Sequence, residues 1–144
     1  MNSKYLRPVV LGLLILLVGI FFSNIFDLYY TIPHLDKVYH FLGGFTLGWF
    51  FYLYFFDQKQ DQPFPNFKKI LTVVSATCFI AVLWEYAERL STLYGPQYAP
   101  FIYHWFQGGD LNDTLLDILA GTLGSLSFVS LKYLKNKINK KSVL

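Results

Sequence analysis

Four long apolar stretches, separated by polar or proline-containing segments, dominate the pattern of the chain. A membrane-spanning helix needs about 20 largely apolar residues, and each stretch is close to this length. The pattern therefore predicts four membrane-spanning helices, which we number spans one to four. They cover residues 9–26, 38–56, 70–90 and 111–131.

Two connectors separate spans two, three and four. Residues 57–66 are polar and contain two prolines, which is typical of a turn between helices. Residues 91–109, here called the aromatic loop, contain Gly95, Pro96 and Pro100 as helix breakers. Because tyrosine and tryptophan favour the membrane–water interface, we expect this loop to be re-entrant or interfacial. The predicted fold is all-α: one polytopic domain that forms a four-transmembrane-helix bundle.

The composition excludes most soluble classes of protein. The chain of 144 residues is 54% hydrophobic and 15% charged, with a mean hydropathy of +0.38. Average soluble domains carry about 25% charged residues, so a soluble enzyme is disfavoured, and disorder would need low hydrophobicity. The single cysteine, Cys78, allows neither an intrachain disulfide nor a cysteine-based zinc cluster.

Basic residues are concentrated on one side of the predicted bundle. Lysine and arginine mark the cytoplasmic side, so we expect a multi-pass protein of the cell membrane with both termini cytoplasmic. Residues 132–144 then form a basic cytoplasmic tail beside anionic lipid headgroups, with no nucleic acid as partner. Nothing in the pattern indicates an oligomeric state. The basic residues on this side are Lys4, Arg7, Lys59, Lys68, Lys69, Lys132, Lys135, Lys137, Lys140 and Lys141.

Acidic residues show the opposite bias, together with all three histidines. From a rise of 1.5 Å per residue, Glu85 and Asp117 lie at about the same depth, roughly 8–9 Å below the outer boundary. Asp36 and His40 lie one turn apart on one face of span two. The acids on the outer half are Asp27, Asp36, Glu85, Glu88, Asp110, Asp113 and Asp117, and the histidines are His34, His40 and His104.

Small residues continue the faces that carry the acids. Gly44-xxx-Gly48 in span two and Gly121-xxx-Ser125 in span four are small-xxx-small patterns, which let membrane helices approach closely. The acids are therefore expected on packing faces, in a polar pocket that opens to the extracytoplasmic side. We expect the aromatic loop to cover part of this pocket.

Ionisable groups at membrane depth cost about 2.5–3.5 kcal/mol each and mark functional sites by default. Lys37 and Arg89 can neutralise at most two of the acids. Four interpretations stay open: an ion-paired network that fixes the bundle, a divalent metal site, a metal-free acid/base site, and a pathway for protons, cations or a polar headgroup. The candidate metal ligands are Asp36, His40, Glu85, Glu88, Asp110, Asp113 and Asp117. The candidate catalytic residues are His40, Glu85, Asp113 and Asp117.

For three further residues near the pocket we expect simpler roles than metal binding or catalysis. His34 follows Pro33 in a loop and is expected to be solvated. His104 lies among aromatic residues, so interfacial packing is its expected role. Asp110 follows two glycines and is expected at or near the N-cap of span four.

Three segments of the sequence resemble a known family. Asp36–Phe41 (DKVYHF) resembles the D-K-x-x-H-F opening of VanZ-like membrane proteins and of the related bacterial inner-membrane family typified by YjdF. Gly109–Asp117 (GDLNDTLLD) is similar to the G-D-x-x-D-x-x-x-D pattern of the YjdF-like group. Trp84–Glu88 (WEYAE) is similar to that group's E-x-x-E segment and departs from the D-E-x-x-Q type of VanZ itself.

The resemblance implies a small polytopic bacterial membrane protein of the cell envelope. VanZ-like members are associated with tolerance of glycopeptide antibiotics such as teicoplanin. The resemblance also points to the seven candidate ligands named above. We therefore expect the protein to bind or modify a lipid-linked or headgroup substrate, with or without a divalent metal. The alternative is a non-enzymatic scaffold, or a pathway for ions, protons or a small molecule.

Overall fold

Helices make up nearly all of the protein that the computed structural model describes, namely residues 3–22, 25–26, 28–56, 66–106 and 108–141. These ranges contain no strand, so the all-α prediction is confirmed for them. In chain order the elements are α1 (Ser3–Leu17), a π-helical turn (Val18–Phe22), α2 (Leu28–Thr31), α3 (Leu35–Phe56), α4 (Asn66–Tyr98), α5 (Pro100–Trp105) and α6 (Leu111–Lys141).

Three of the described helical stretches are long and apolar enough to cross a membrane: Ser3–Phe21, Asn66–Tyr98 and Leu111–Asn139. They correspond to predicted spans one, three and four. Predicted span two forms α3, whose 22 residues reach about 33 Å against a hydrocarbon core of about 30 Å. The glycines, tyrosines and tryptophan of α3 lower its mean hydropathy. For this reason α3 is not among the three candidate spans.

The helices extend past the apolar stretches that predicted them. α6 continues beyond residue 131 to Lys141, so most of the predicted basic tail is helical. α4 continues through Gly95 and Pro96 to Tyr98, so these two residues do not break the helix as expected. Pro96 has no N–H, so the helix loses one backbone hydrogen bond there, and it ends two residues later at Tyr98. The apolar pattern marks the membrane-sized part of each helix and not its ends.

Small residues allow α3 and α6 to form the most extensive contact of the bundle. A Cβ atom on Gly44 would overlap the carbonyl group of Gly121, and one on Gly48 would come within 2.9 Å of Ser125. Side chains larger than these would push the two helices apart. The predicted role of both small-xxx-small patterns in helix packing is therefore confirmed.

The other helices pack around the pair formed by α3 and α6. α1 lies against α3, where a Cβ on Gly12 would be 3.3 Å from the hydroxyl oxygen of Thr46. α4 contacts both α3 and α6. Between α3 and α6, the ring of Phe128 lies 5.3 Å from that of Phe45, edge to face. The arrangement brings the start of α3, the C-terminal half of α4 and the start of α6 to one end of the bundle.

Candidate functional site

Ionisable side chains from α3, α4 and α6 meet at this end of the bundle. Each of these helices contributes at least two of them. We call the group the acidic cluster. Its members are Asp36, Lys37, His40, Glu85, Glu88, Asp113 and Asp117.

Lys37 is the central cation of one part of the cluster. Its ammonium nitrogen lies 3.4 Å from Asp36 Oδ2 and 3.0 Å from Asp117 Oδ1, and it also pairs with Asp113. The side chain of Asp117 is only 1% exposed. Since an ammonium group has three N–H donors, these three carboxylates use its full donor capacity. The expected neutralising role of Lys37 is therefore present in the structure.

His40 faces carboxylates with both of its ring nitrogens. Nε2 lies 3.5 Å from Asp36 Oδ1, one helical turn earlier, and 3.9 Å from Asp117 Oδ1. Nδ1 lies 3.6 Å from Glu85 Oε1 on α4. The imidazole therefore stands between two sets of carboxylates. The predicted common face of Asp36 and His40 is confirmed.

The two glutamates of α4 occupy the other side of the imidazole. Glu85 is 4% exposed, and its Oε1 has no hydrogen-bond partner. Glu88 accepts a hydrogen bond of 2.7 Å from Nε1 of Trp84. Arg89 is exposed, and in the described part of the chain no lysine or arginine forms an ion pair with either glutamate. A buried carboxylate oxygen without a partner is costly, so this region is chemically incomplete.

Two sets of three side chains have the geometry to hold a metal ion. In each set, one donor atom per residue lies within 4.8 Å of the others. His40 belongs to both sets, so four of the other six predicted ligands come together around its imidazole. The sets are Asp36, His40 and Asp117, and His40, Glu85 and Glu88.

The two other predicted ligands, Asp113 and Asp110, belong to neither set of donors. Asp113 joins the cluster through Lys37. Asp110 is exposed, and its Oδ1 accepts a 2.9 Å hydrogen bond from the backbone N–H of Asp113. It therefore caps the start of α6, which confirms that expectation, and it lies outside both sets of donors. Asp27 falls outside the described residues.

Of the two other histidines, the structure describes the side chain of His34 only. His34 is exposed in the turn before α3, with a φ of 60°, so the expectation that it is solvated is confirmed. The side chain of His104 lies outside the described residues, and its predicted interfacial role stays a prediction.

The end of the aromatic loop is tied to α4 beside the cluster. The hydroxyl of Thr92 donates to the carbonyl oxygen of Glu88 and accepts from the N–H of Gly108, both at 3.0 Å. A Cβ on Gly108 would lie 3.1 Å from that of Glu88. The loop therefore closes directly against the helix face that carries the glutamates.

An apolar cavity of about 310 Å³, largely open to the surroundings, lies next to the cluster, between the end of α1, α4 and α5. The indole of Trp84 forms part of its wall, while Nε1 of the same side chain bonds to Glu88. Sequence reasoning did not single out Trp84, although its position four residues before Glu88 was an available signal. The lining residues are Leu16, Ile20, Phe21, Trp84, Phe101, Ile102 and Phe106.

A chain built from helices of membrane-crossing length, with an acidic cluster at one end of them, defines a membrane protein. The chain belongs to the DUF2238 family of predicted membrane proteins, whose model matches residues 5–137. The match includes all members of the acidic cluster. No curated protein and no solved structure matches the chain.

Proposed function

We propose that this membrane protein binds or modifies a lipid-linked or headgroup substrate of the cell envelope. The headgroup occupies the acidic cluster, and the hydrocarbon chain enters the apolar cavity. Trp84 carries the proposal, because its ring lines the cavity and its N–H bonds to Glu88 of the cluster. The cavity volume of about 310 Å³ is in the range of small-molecule sites, about 300–1,000 Å³. An amphiphile matches a site that is apolar on one side and charged on the other.

The chemistry of a modification would come from four residues: His40, Glu85, Asp113 and Asp117. His40 lies within 4 Å of both Glu85 and Asp117, so it is placed to pass a proton to or from a carboxylate. A divalent metal held by donors of the cluster would polarise an oxygen of the headgroup. The two sets of donors around His40 support this second possibility.

The membrane placement is part of the same proposal. α3 crosses the bilayer as a fourth span over residues 38–56, with both termini cytoplasmic and the acidic cluster extracytoplasmic. The aromatic loop lies at the interface or re-enters the bilayer. The protein is of the VanZ-like/YjdF-like type, and this kinship is supported by the segments that carry the resemblance. They supply the cluster with Asp36, His40, Glu85, Glu88 and Asp117.

Retention of lipid by the purified protein tests the hydrocarbon part of the site. The full-length protein is extracted in mild detergent, exposed to polar lipids of bacterial membranes and examined by native mass spectrometry. We expect about one lipid retained per chain. Leu16→Trp fills the cavity and lowers retention at least tenfold, whereas Leu13→Trp, on the exposed side of the same helix, leaves it unchanged. Equal retention by the two variants would contradict the proposal.

A pair of histidine variants tests the headgroup part of the site. His40→Asn removes the imidazole from the cluster, and we expect it to change which lipid headgroups are retained. His34→Asn is the matched control, because His34 is exposed and asparagine tolerates its positive φ. The same headgroup selection in wild type and His40→Asn would show that the cluster does not recognise headgroups.

A structural role is the second candidate, and the contacts of Lys37 favour it. One ammonium group joined to three carboxylates from α3 and α6 is what a network that fixes a bundle requires. In that case no lipid or metal is retained, and Asp117→Asn lowers the thermal unfolding temperature strongly. Retained lipid with an unaltered unfolding temperature in Asp117→Asn would exclude this alternative.

A further inference from the structure

His40 divides the acidic cluster into two halves, of which only one contains a lysine that pairs with its carboxylates. The lysine half faces Nε2 and consists of Asp36, Lys37, Asp113 and Asp117. The glutamate half consists of Glu85, whose Oε1 faces Nδ1, and of Glu88, which forms a set of metal-binding donors with Glu85 and His40. Each half, taken together with the imidazole, has donor atoms at metal-binding distances. The contacts within each half decide which of them is open to a metal.

The lysine half already contains its cation. The ammonium of Lys37 contacts a carboxylate oxygen of Asp36, of Asp113 and of Asp117. A metal ion bound to Asp36, His40 and Asp117 would have to displace this ammonium, and the two positive charges would repel each other. The side chains of Asp36 and Asp113 are also 35% and 38% exposed, so water stabilises their charge.

The glutamate half lacks a cation of its own among the described residues. Glu85 is 4% exposed, and its Oε1 lies 3.6 Å from His40 Nδ1 without a hydrogen-bond partner. Oδ1 of Asp117 also lacks a hydrogen-bond partner, but it lies 3.0 Å from the ammonium of Lys37, whereas no lysine or arginine of the described residues pairs with Oε1 of Glu85. A buried carboxylate oxygen with neither a hydrogen bond nor such a cation points to a ligand outside the chain. Two carboxylates with a neutral imidazole carry a charge that one divalent cation balances.

Outer contacts hold these ligands in the orientation that a metal needs. A metal-binding histidine usually donates its second ring N–H to a carboxylate, and Asp36 lies 3.5 Å from Nε2 of His40. Ligating carboxylates are in turn hydrogen-bonded, and Glu88 accepts the N–H of Trp84 at 2.7 Å. Asp36 is therefore a positioning residue in this arrangement, not a ligand.

We propose that a divalent transition metal binds to Nδ1 of His40 and to the carboxylates of Glu85 and Glu88. One imidazole nitrogen with two carboxylates suits zinc, manganese or iron, whereas calcium and magnesium prefer oxygen ligands alone. Three protein ligands leave a coordination position open. This inference rests on the proposed function, because that position would meet the headgroup beside Trp84.

Zinc binding to the full-length protein tests the assignment. The protein in detergent is stripped with a chelator and titrated with Zn²⁺ alone, and we expect one zinc per chain. Glu85→Gln and Glu88→Gln each weaken binding by more than about 100-fold, beyond the effect of losing an outer partner, and Asp36→Asn weakens it by about 10–100-fold. Asp117→Asn, in the lysine half, weakens binding less than either glutamate variant does. Asp113→Asn serves the same purpose should Asp117→Asn fail to fold.

X-ray absorption of the zinc-loaded wild type adds a readout that is independent of affinity. We expect one imidazole and otherwise oxygen ligands. Absence of zinc binding, an imidazole count other than one, or binding lost in Asp117→Asn but kept in Glu85→Gln would overturn the assignment.

The lipid measurement separates this inference from the function on which it rests. Lipid retention sensitive to Leu16→Trp, without zinc binding, overturns the metal site and leaves the proposed function standing. Zinc bound at the glutamate half without lipid retention supports the metal site and overturns the proposed function.

Discussion

The ammonium nitrogen of Lys37 lies 3.0 Å from Oδ1 and 3.1 Å from Oδ2 of Asp117, a residue 80 positions further along the chain. This contact joins the first turn of α3 to the second turn of α6. Because Asp117 is 1% exposed, its charge has lost nearly all contact with water and depends on Lys37. The attraction offsets the desolvation of both groups only while both partners are present.

Removal of Lys37 is expected to destabilise the protein. Lys37→Met keeps an apolar stem of similar length but leaves Asp117 without its cation, which costs about 3–5 kcal/mol for a buried pair. The measurement is the free energy of unfolding in detergent, from chemical denaturation. The double variant Lys37→Met/Asp117→Asn should recover part of the loss, because it no longer buries an unpaired charge. A single variant as stable as wild type would show that the pair does not stabilise the bundle.

Two neighbouring glycines of α3 provide a matched test of the helix contact. A Cβ on Gly44 would overlap the backbone of Gly121, whereas one on Gly43 would meet nothing within 4 Å. Gly44→Ala should therefore cost about 3 kcal/mol or more of unfolding free energy, and Gly43→Ala less than about 0.5 kcal/mol, as for an ordinary surface substitution. Thermal unfolding of both purified variants measures the difference. Equal unfolding temperatures would mean that α3 and α6 do not approach so closely.

The proposed orientation can be tested by cysteine labelling in intact cells. In a Cys78→Ala background, Gln97→Cys places a thiol at an exposed position near the end of α4. A membrane-impermeant maleimide should label it from outside, because the end of α4 is proposed to be extracytoplasmic. Asn136→Cys, exposed in the C-terminal part of α6, should react only after the cells are opened. The reverse pattern of labelling would invert the topology.

The periodicity of apolar residues and the types of residue along the chain predicted much of the fold, because they determine which residues share a helix face without help from distant parts of the chain. Asp36 and His40 are four residues apart, and a helix places such residues on one face whatever surrounds it. The glycines at 44 and 121 were recognised as packing positions because close helix contacts in membranes need small residues. The helical course of α4 through Gly95 and Pro96 was not predicted, since tertiary contacts override local propensity there. Gly95 packs against Tyr103 of α5 with no room for a side chain.

The cluster was only partly visible from the chain. Its acids were identified because charges at membrane depth are costly and rare. The sequence could not show that Lys37 pairs with Asp113 and Asp117, or that Oε1 of Glu85 lacks a hydrogen-bond partner, because these contacts depend on how three helices are rotated against one another. The cavity beside Trp84 arises in the same way, from side chains on α1, α4 and α5.

By itself, the sequence determined that the chain is helical, that it has stretches suited to a membrane, and that its acids and small residues share helix faces. These properties follow from hydrophobicity and from the period of the α-helix. The tertiary structure alone decided that His40 stands between a half of the cluster with its own cation and a half without one. Partners this far apart in the chain are set by packing, because helix contacts, and not local spacing, determine which side chains meet.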